Sequence, residues 1–228
     1  MKPMVFYCFP IALNKLHMTI PTLFNRLDDW RTLPAYQLER RADIFFAMYL
    51  DKILEKQRGV KIDLMIPEFP VRLGSLPDNN PQDNRSCKID YLIYAAEQQR
   101  VFLLELKTDQ RSLRGKQDLY LEQASEIKVS GLLEGLRAIY KATIQNVKYN
   151  NLLQKLETIG WIERTGSDFI IHAPDITPEV LYIQPTNEDK KSDVIAFDDI
   201  IPVLSAIDDP IAARFAISLE KWKGDVNK

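Results

Sequence analysis

Cysteine and histidine are scarce in this chain of 228 residues, which contains two of each. Cys8 and Cys87 stand alone, and two isolated cysteines form neither a disulfide framework nor a CxxC motif. His17 and His172 lie far apart in sequence and show no zinc-ligand spacing with the cysteines. These absences argue against zinc-finger and disulfide-scaffold proteins, and they predict a reducing compartment, the cytoplasm.

Long hydrophobic runs and an excess of basic charge are also missing. No segment approaches the ~18 apolar residues needed to cross a membrane. Pro10 interrupts the apolar run Val5–Leu13, so a signal peptide is not expected. Met18 is the expected natural start, with residues 1–27 as an N-terminal extension and residues 28–228 as a single domain. The formal net charge of −2 gives no support for a protein that coats nucleic acid, but it permits contact through a local patch.

Apolar residues are plentiful, and their spacing predicts helices in the first quarter of the chain. Asp28–Gln57 is predicted to form a short helix and a longer one, separated near Pro34. The longer helix shows four turns of helical periodicity and is expected to stop at Gly59. Its apolar residues are Leu38, Ala42, Phe45, Phe46, Tyr49, Leu50, Ile53 and Leu54.

Three strands are predicted next. Lys61–Leu73 carries two prolines near its margins, which favours a strand at the edge of a sheet. After a loop over Gly74–Arg85, the segments Lys88–Ala95 and Val101–Lys107 are joined by a short polar turn and are predicted to form a hairpin. The second of these is apolar on both faces, as in a central strand covered on both sides.

The second half of the chain is predicted to be mainly helical from Ser112 to Leu156, with breaks near Ser130–Gly131 and Tyr149–Asn150. Two strands are expected at Val180–Gln184 and Asp193–Phe197, and a final helix at Ile211–Trp222. The pairs Asp198–Asp199 and Asp208–Asp209 are typical of helix starts rather than of ligands. This order predicts an α/β fold with a small mixed sheet.

Three polar residues interrupt the apolar hairpin: Asp90, Glu105 and Lys107. Glu105 and Lys107 are two residues apart in a strand, so they point to the same face, and Asp90 can lie beside them on the neighbouring strand. Buried carboxylates need a compensating partner, and a divalent metal is one. Asp90, Glu105 and the carbonyl of Leu106 offer the oxygen ligands that Mg²⁺ or Mn²⁺ prefer. Lys107 could orient or deprotonate an attacking water; the alternative is a buried ion pair without a metal.

Asp90 followed by a strand with Glu105-Leu106-Lys107 resembles the core of the PD-(D/E)XK nuclease superfamily, with Ile89 in place of the family's proline. The resemblance implies a restriction-endonuclease-like core: a mixed central sheet flanked by helices, in the order helix, three strands, helix, strand. An extra strand and helix are expected at the C-terminus. The literal Pro-Asp pairs at 77–78 and 174–175 lie in loop-like stretches and are not assigned to the site.

Many members of this superfamily place a glutamate on the first core helix, pointing into the site. Glu39 falls within the apolar stripe of the predicted helix and is the expected further catalytic and metal-binding residue. Asp43 falls at the edge of that stripe. Pairing of Glu39 with Arg40 or a capping group is the alternative.

A short basic stretch follows the hairpin. Arg111, Arg114 and Lys116 form a local positive patch that could bind a phosphate backbone. Gln117, Tyr120 and Gln123 follow at three-residue spacing, so they share one helix face. Some members of the superfamily carry a Gln or a Gln/Tyr pair on this helix. The resemblance therefore implies contacts of Gln117 and Tyr120 with nucleic acid and a catalytic role for Gln123; a solvated helix face is the alternative.

The expected function is metal-dependent hydrolysis of phosphodiester bonds in nucleic acid, with DNA expected before RNA and Mg²⁺ or Mn²⁺ as cofactor. A nuclease fold that binds or interacts without catalysis is a second hypothesis. An unrelated α/β protein with a coincidental ion pair is a third. No membrane partner is expected.

Overall fold

The computed structural model describes residues 19–109, 115–144 and 146–224, with the side chains of 115–118 and 146 left aside. These residues form seven α-helices and a mixed five-stranded sheet, so the predicted α/β class is confirmed. The helices are α1 Ile20–Trp30, α2 Leu38–Arg58, α3 Gly115–Glu126, α4 Val129–Ala142, α5 Asn146–Thr158, α6 Phe197–Ser205 and α7 Pro210–Trp222. The strands are β1 Leu64–Arg72, β2 Ser86–Ala95, β3 Arg100–Leu106, β4 Ile162–Thr165, β5 Asp168–Ile171, β6 Glu179–Gln184 and β7 Val194–Ala196.

The central sheet has the strand order β1-β2-β3-β6-β7. Strands β1, β2 and β3 are antiparallel neighbours, and β6 and β7 join them in parallel. The predicted hairpin of β2 and β3 and the predicted edge position of β1 are both confirmed. The prolines at 67 and 70 lie inside β1 rather than at its margins, and an edge strand tolerates them because one side of it needs no ladder hydrogen bonds.

Helices cover both faces of this sheet. One core lies between the sheet and α1, α2, α6 and α7, and the other between the sheet and α3, α4, α5 and the small β4–β5 hairpin. Strand β3 is the centre of the structure, because Phe102 and Leu104 face the first core while Val101 and Leu103 face the second. This double burial explains the unbroken apolar run in its sequence.

Helix α2 forms the side of the first core that is nearest to the polar residues of the hairpin. Seven of its residues are buried, at the helical spacing that the sequence predicts. The helix ends at Gly59, as predicted, because this residue adopts the left-handed conformation with φ of 64°. Helix α1 begins at Ile20 and buries Phe24 and Leu27 in the same core, so the expected boundary between residues 27 and 28 falls inside it.

Several predicted details of the second half are wrong. The helical segment breaks at residues 127–128 and again after Ala142; Ser130–Gly131 lies inside α4 and Tyr149–Asn150 inside α5. A single glycine in a helix costs only about 1 kcal/mol, which the packing of α4 offsets. The β4–β5 hairpin is a further element that the sequence did not predict, and for helix α6 the sequence indicated only the start.

The acidic pairs near the C-terminus begin helices, as predicted. Asp199 lies in the first turn of α6 and accepts a hydrogen bond from the Ala196 N–H at 2.9 Å. Asp209 is the N-cap of α7 and accepts from the Ile211 N–H at 2.8 Å. Among the described residues no helix combines the length and the apolar character needed to cross a membrane.

Candidate functional site

The β2–β3 ladder ends at the polar residues of the hairpin. Its last register pair is Tyr91 with Leu104, so Asp90 and Glu105 follow opposite one another, one residue beyond that pair. Asp90 Oδ2 accepts a hydrogen bond from the Leu106 N–H at 2.7 Å. This bond fixes the Asp90 carboxylate at the end of β3, next to the Leu106 carbonyl that was predicted as a ligand.

Glu105 and Lys107 form a buried ion pair on one face of β3. Lys107 Nζ lies 2.5 Å from Glu105 Oε1, and the two residues are only 2% and 1% exposed. The Lys107 N–H donates to the Ile183 carbonyl at 2.7 Å, which anchors the residue to β6 just beyond the end of β3. The predicted convergence of Glu105 and Lys107 is therefore present in the fold, and so is the ion pair of the alternative interpretation.

Helix α2 adds two carboxylates to this site. Glu39 and Asp43 are half-buried and lie one turn apart on the face that lines a cleft above the end of the hairpin. The Tyr91 hydroxyl donates a hydrogen bond to the Asp43 carboxylate, which fixes that side chain over β2. The sequence favoured Glu39 over Asp43, but the fold places both of them beside the hairpin carboxylates.

The electrostatics of the site show an excess of negative charge. Burial raises the pKa of Glu105 to about 7, and the charges of Asp90 and Glu39 add to this rise although Lys107 opposes it. Burial also raises the pKa of Asp90, against the opposing effects of the Leu106 N–H and Lys107, while the charges of Glu68 and Asp43 add to the rise. A cation between these carboxylates would relieve both penalties.

Glu68 is a further acidic residue of the site that the sequence did not single out. It lies on β1 opposite Asp90, between the register pairs Pro67–Tyr91 and Phe69–Ile89. Its backbone is left-handed, with φ of 52°, a conformation that costs a non-glycine residue roughly 1–2 kcal/mol. The alternation of side chains along β1 shifts by one residue at Glu68. Residues 64 and 66 before it and residues 69 and 71 after it all enter the second core. A glutamate between two prolines in an apolar strand was the available signal.

An open cleft of about 910 Å³ lies over these residues. Its wall is formed by residues 35–40 around the start of α2, and its floor by Asp90, Leu106 and Lys107. A second cleft, of about 490 Å³, extends from Lys107 and Asp109 along the β6–β7 connection. Lys107 lines both clefts, although its side chain is largely buried against Glu105.

Tyr120 and Gln123 are the predicted residues after the hairpin whose side chains the structure describes, and they are not brought to the carboxylates. Gln123 donates from Nε2 to the Pro77 carbonyl at 3.0 Å, and Tyr120 packs against the second core. Neither lines the cleft over Asp90. Arg111 and Arg114, and the side chains of Lys116 and Gln117, lie outside the described residues.

The donor set fits a hard divalent cation by its chemistry. Asp90, Glu105 and the Leu106 carbonyl supply oxygen ligands, and Glu39 is close enough to shift the pKa of Glu105. Over the described ranges, no three His, Cys, Asp or Glu side chains are already arranged as a ligand group. A cation between Asp90 and Glu105 would therefore share Glu105 with the Lys107 ammonium, and Glu39 would have to turn towards it.

Comparisons of the chain with protein-family models, with curated proteins and with solved structures found no match.

Proposed function

We propose that this protein is a Mg²⁺- or Mn²⁺-dependent phosphodiesterase that hydrolyses nucleic acid, built on a PD-(D/E)XK nuclease core. The observation that carries the proposal is the meeting of Asp90, Glu105 and Lys107 at the end of one hairpin, below an open cleft. Glu39 and Asp43 add further carboxylates from α2. Exposed ion pairs of this chain behave differently, because Arg85 lowers the pKa of the Asp83 carboxyl and Arg164 lowers that of Glu157.

The arrangement of elements supports the same proposal. Helix α2 is followed by the antiparallel strands β1, β2 and β3, then by helices, and then by β6 parallel to β3. This is the order helix, three strands, helix, strand that the superfamily resemblance implies. Strand β7 with helices α6 and α7 takes the place of the expected C-terminal strand and helix.

Each side chain has a distinct role in the proposed reaction. Asp90, Glu105, the Leu106 carbonyl and Glu39 would hold the cation, which when bound supplies positive charge to the phosphate and lowers the pKa of a bound water. Lys107 has three ammonium donors, one of which is on Glu105. The other donors can orient the attacking water or contact a phosphate oxygen. The hydrogen bond from the Tyr91 hydroxyl holds the Asp43 side chain in place at the cleft. Burial and this bond raise the pKa of the Tyr91 hydroxyl above its usual range, so the hydroxyl keeps the proton that it donates.

The test is hydrolysis of plasmid DNA, single-stranded DNA and RNA with Mg²⁺ or Mn²⁺. We expect Lys107→Met and Glu105→Gln to lower the rate at least about a hundredfold, the usual effect of removing a positioned proton-transfer group. Lys128→Met is the matched control, because Lys128 forms an exposed ion pair with Asp175 and does not line the cleft. Wild-type protein that cleaves no substrate with either metal, or variants that cleave as fast as wild type, would contradict the proposal.

A nuclease fold that binds without catalysis is the second candidate. It is favoured by the Glu105–Lys107 ion pair, which already satisfies a carboxylate that the cation would need. The two candidates differ in their response to divalent cations, because only the phosphodiesterase needs Asp90 and Glu105 as ligands.

A further inference from the structure

Four basic side chains among the described residues line the cleft over Asp90, and three of them are bonded to the protein. Arg31 donates to the Lys221 and Gly224 carbonyls, at 2.7 and 2.9 Å, and so holds the end of α7. Lys88 pairs with Glu68 at 2.7 Å, and Lys107 pairs with Glu105. Donors of these three side chains are therefore already engaged within the fold, and the charges of Lys88 and Lys107 are paired.

Arg40 is the fourth basic residue, and it differs from the others. It lies in the first turn of α2, is exposed, and forms no hydrogen bond or ion pair within the part of the chain that the structure describes. Asp43 is its neighbour three residues along the helix, but the Asp43 carboxylate is turned to the Tyr91 hydroxyl instead. The alternative prediction that Glu39 pairs with Arg40 is not met in this structure.

The cleft needs such a group if a nucleic-acid strand is to enter it. Five of its lining side chains are acidic: Glu39, Asp43, Glu68, Asp90 and Asp109. A cation at Asp90 and Glu105 would compensate the floor, but a phosphate next to the scissile bond would still lie among the other acidic side chains of the cleft. A guanidinium offers a planar pair of donors that matches two phosphate oxygens.

We propose that Arg40 binds a phosphodiester group of the substrate strand that flanks the scissile bond, as a positioning residue at the wall of the cleft. The inference rests on the proposed function for the identity of the substrate. Arg40 would add a phosphate-binding group that the hairpin residues do not supply. The nucleic-acid strand would then lie along the start of α2.

Arg41 provides a matched control. It has the same charge, lies in the same helical turn, and is the next residue in the chain. Its guanidinium is already engaged, because Nη1 donates to the Gln37 carbonyl at 3.0 Å and the group lies over the Tyr36 ring at 4.4 Å from its centroid. It does not line the cleft.

The experiment measures binding of fluorescent single-stranded DNA and RNA by anisotropy in EDTA, at several salt concentrations, and separately the kcat and KM of hydrolysis with Mn²⁺. We expect Arg40→Ala to weaken binding about tenfold, the effect of one lost charged hydrogen-bonding group. The slope of log affinity against log salt should become shallower by about 0.7, the value for one phosphate contact on a single strand. KM should rise while kcat changes less than about twofold, since Arg40 contacts no reacting atom. Arg40→Lys should keep the salt slope.

Equal losses in Arg40→Ala and Arg41→Ala would overturn the proposal, and so would unchanged affinity in Arg40→Ala or a wild-type protein that binds no oligonucleotide. Binding in EDTA does not require catalysis, so the two proposals fail separately. Protein that binds DNA through Arg40 but cleaves nothing with any metal supports this inference and contradicts the phosphodiesterase. Protein that cleaves normally without Arg40 contradicts this inference alone.

Discussion

Asp90 and Glu105 are two carboxylates that face each other at the end of a ladder, and both have raised pKa values. A carboxyl group whose pKa is raised by folding binds its proton more tightly in the folded chain than in the unfolded one. Its ionised form therefore destabilises the fold. This penalty is present above the folded pKa and disappears as the pH falls below the unfolded value. The ionised carboxylates of the site therefore lower the free energy of unfolding near neutral pH. Such a cost is typical of functional sites, where charged groups are positioned to bind a ligand.

Replacing Asp90 by asparagine should stabilise the protein in the absence of divalent cations. Asparagine keeps an oxygen for the Leu106 N–H but removes the charge next to Glu105. We expect a melting temperature a few degrees above wild type at pH 8 in EDTA, and a smaller difference at pH 4, measured by circular dichroism. Asp63→Asn is the control, because Asp63 also accepts a backbone N–H at 2.7 Å, from Ala96, but is exposed. A loss of stability in Asp90→Asn at pH 8 would show that the repulsion is not significant.

The sequence predicted the hairpin residues of the site but not all of their neighbours. Asp90, Glu105 and Lys107 were visible because polar residues interrupt an apolar run, and strand geometry sets their relative positions. Glu68 and Asp43 come from other elements, so their arrival depends on register and on the packing of α2 against the sheet. Periodicity within a single element does not contain that information.

Elements with a strong and regular apolar pattern were predicted well. Helix α2, strands β2 and β3, and helix α7 differ from their predicted bounds by a few residues, because each buries a continuous face. The β4–β5 hairpin has strands of only four residues, and one face of β4 is exposed, so its pattern is too short to recognise. Helix α6 contains Pro202, and a proline inside a segment argues against a helix there.

Helices α1 and α7 are joined by a cluster around Asp28. The Asp28 carboxylate accepts hydrogen bonds from Arg214, Ser218 and Lys221 at 2.8, 2.7 and 2.7 Å. The Trp222 indole donates to it at 3.0 Å. Burial alone would raise the pKa of Asp28, but these hydrogen bonds and the Arg214 charge more than offset that effect and leave the pKa lowered. The ionised carboxylate therefore stabilises the contact between the first and last helices.

We expect Asp28→Ala to lower the free energy of unfolding by about 2–3 kcal/mol at pH 7, because it removes the carboxylate that pairs with the partly buried Arg214. A carboxyl group with a lowered folded pKa contributes its stability above its usual pKa of 3.8 and loses it as the pH falls through the folded value. The difference from wild type in urea unfolding should therefore shrink from pH 7 to pH 3. Asp29→Ala changes the exposed neighbouring residue and should have little effect at either pH. A pH-independent difference would assign the effect to packing alone.

At the scale of the whole molecule, the site depends on elements that are far apart in sequence. Its carboxylates come from α2, β1, β2 and β3, and Lys107 is anchored to β6. The strands belong to one sheet that is covered on both faces, and α2 packs against it, so the site exists only when the sheet and its helices are assembled. A ligand of the site should therefore stabilise the whole fold and not one local segment.

Divalent cations give the decisive measurement at this scale. A cation that binds the folded chain alone stabilises it by about 2.7 kcal/mol when its concentration is a hundred times its Kd. We expect Mn²⁺ to raise the melting temperature of the wild type progressively over the micromolar to millimolar range, with the unfolding transition remaining single. Asp90→Asn should show no such rise, although it is the more stable protein in EDTA, whereas Asp63→Asn should respond like the wild type. A wild type whose melting temperature does not respond to Mn²⁺ or Mg²⁺ would instead favour the nuclease fold that binds without catalysis. Glu105 would then pair with Lys107, and the carboxylates would bind no cation. A rise that persists in Asp90→Asn would place the cation elsewhere in the molecule.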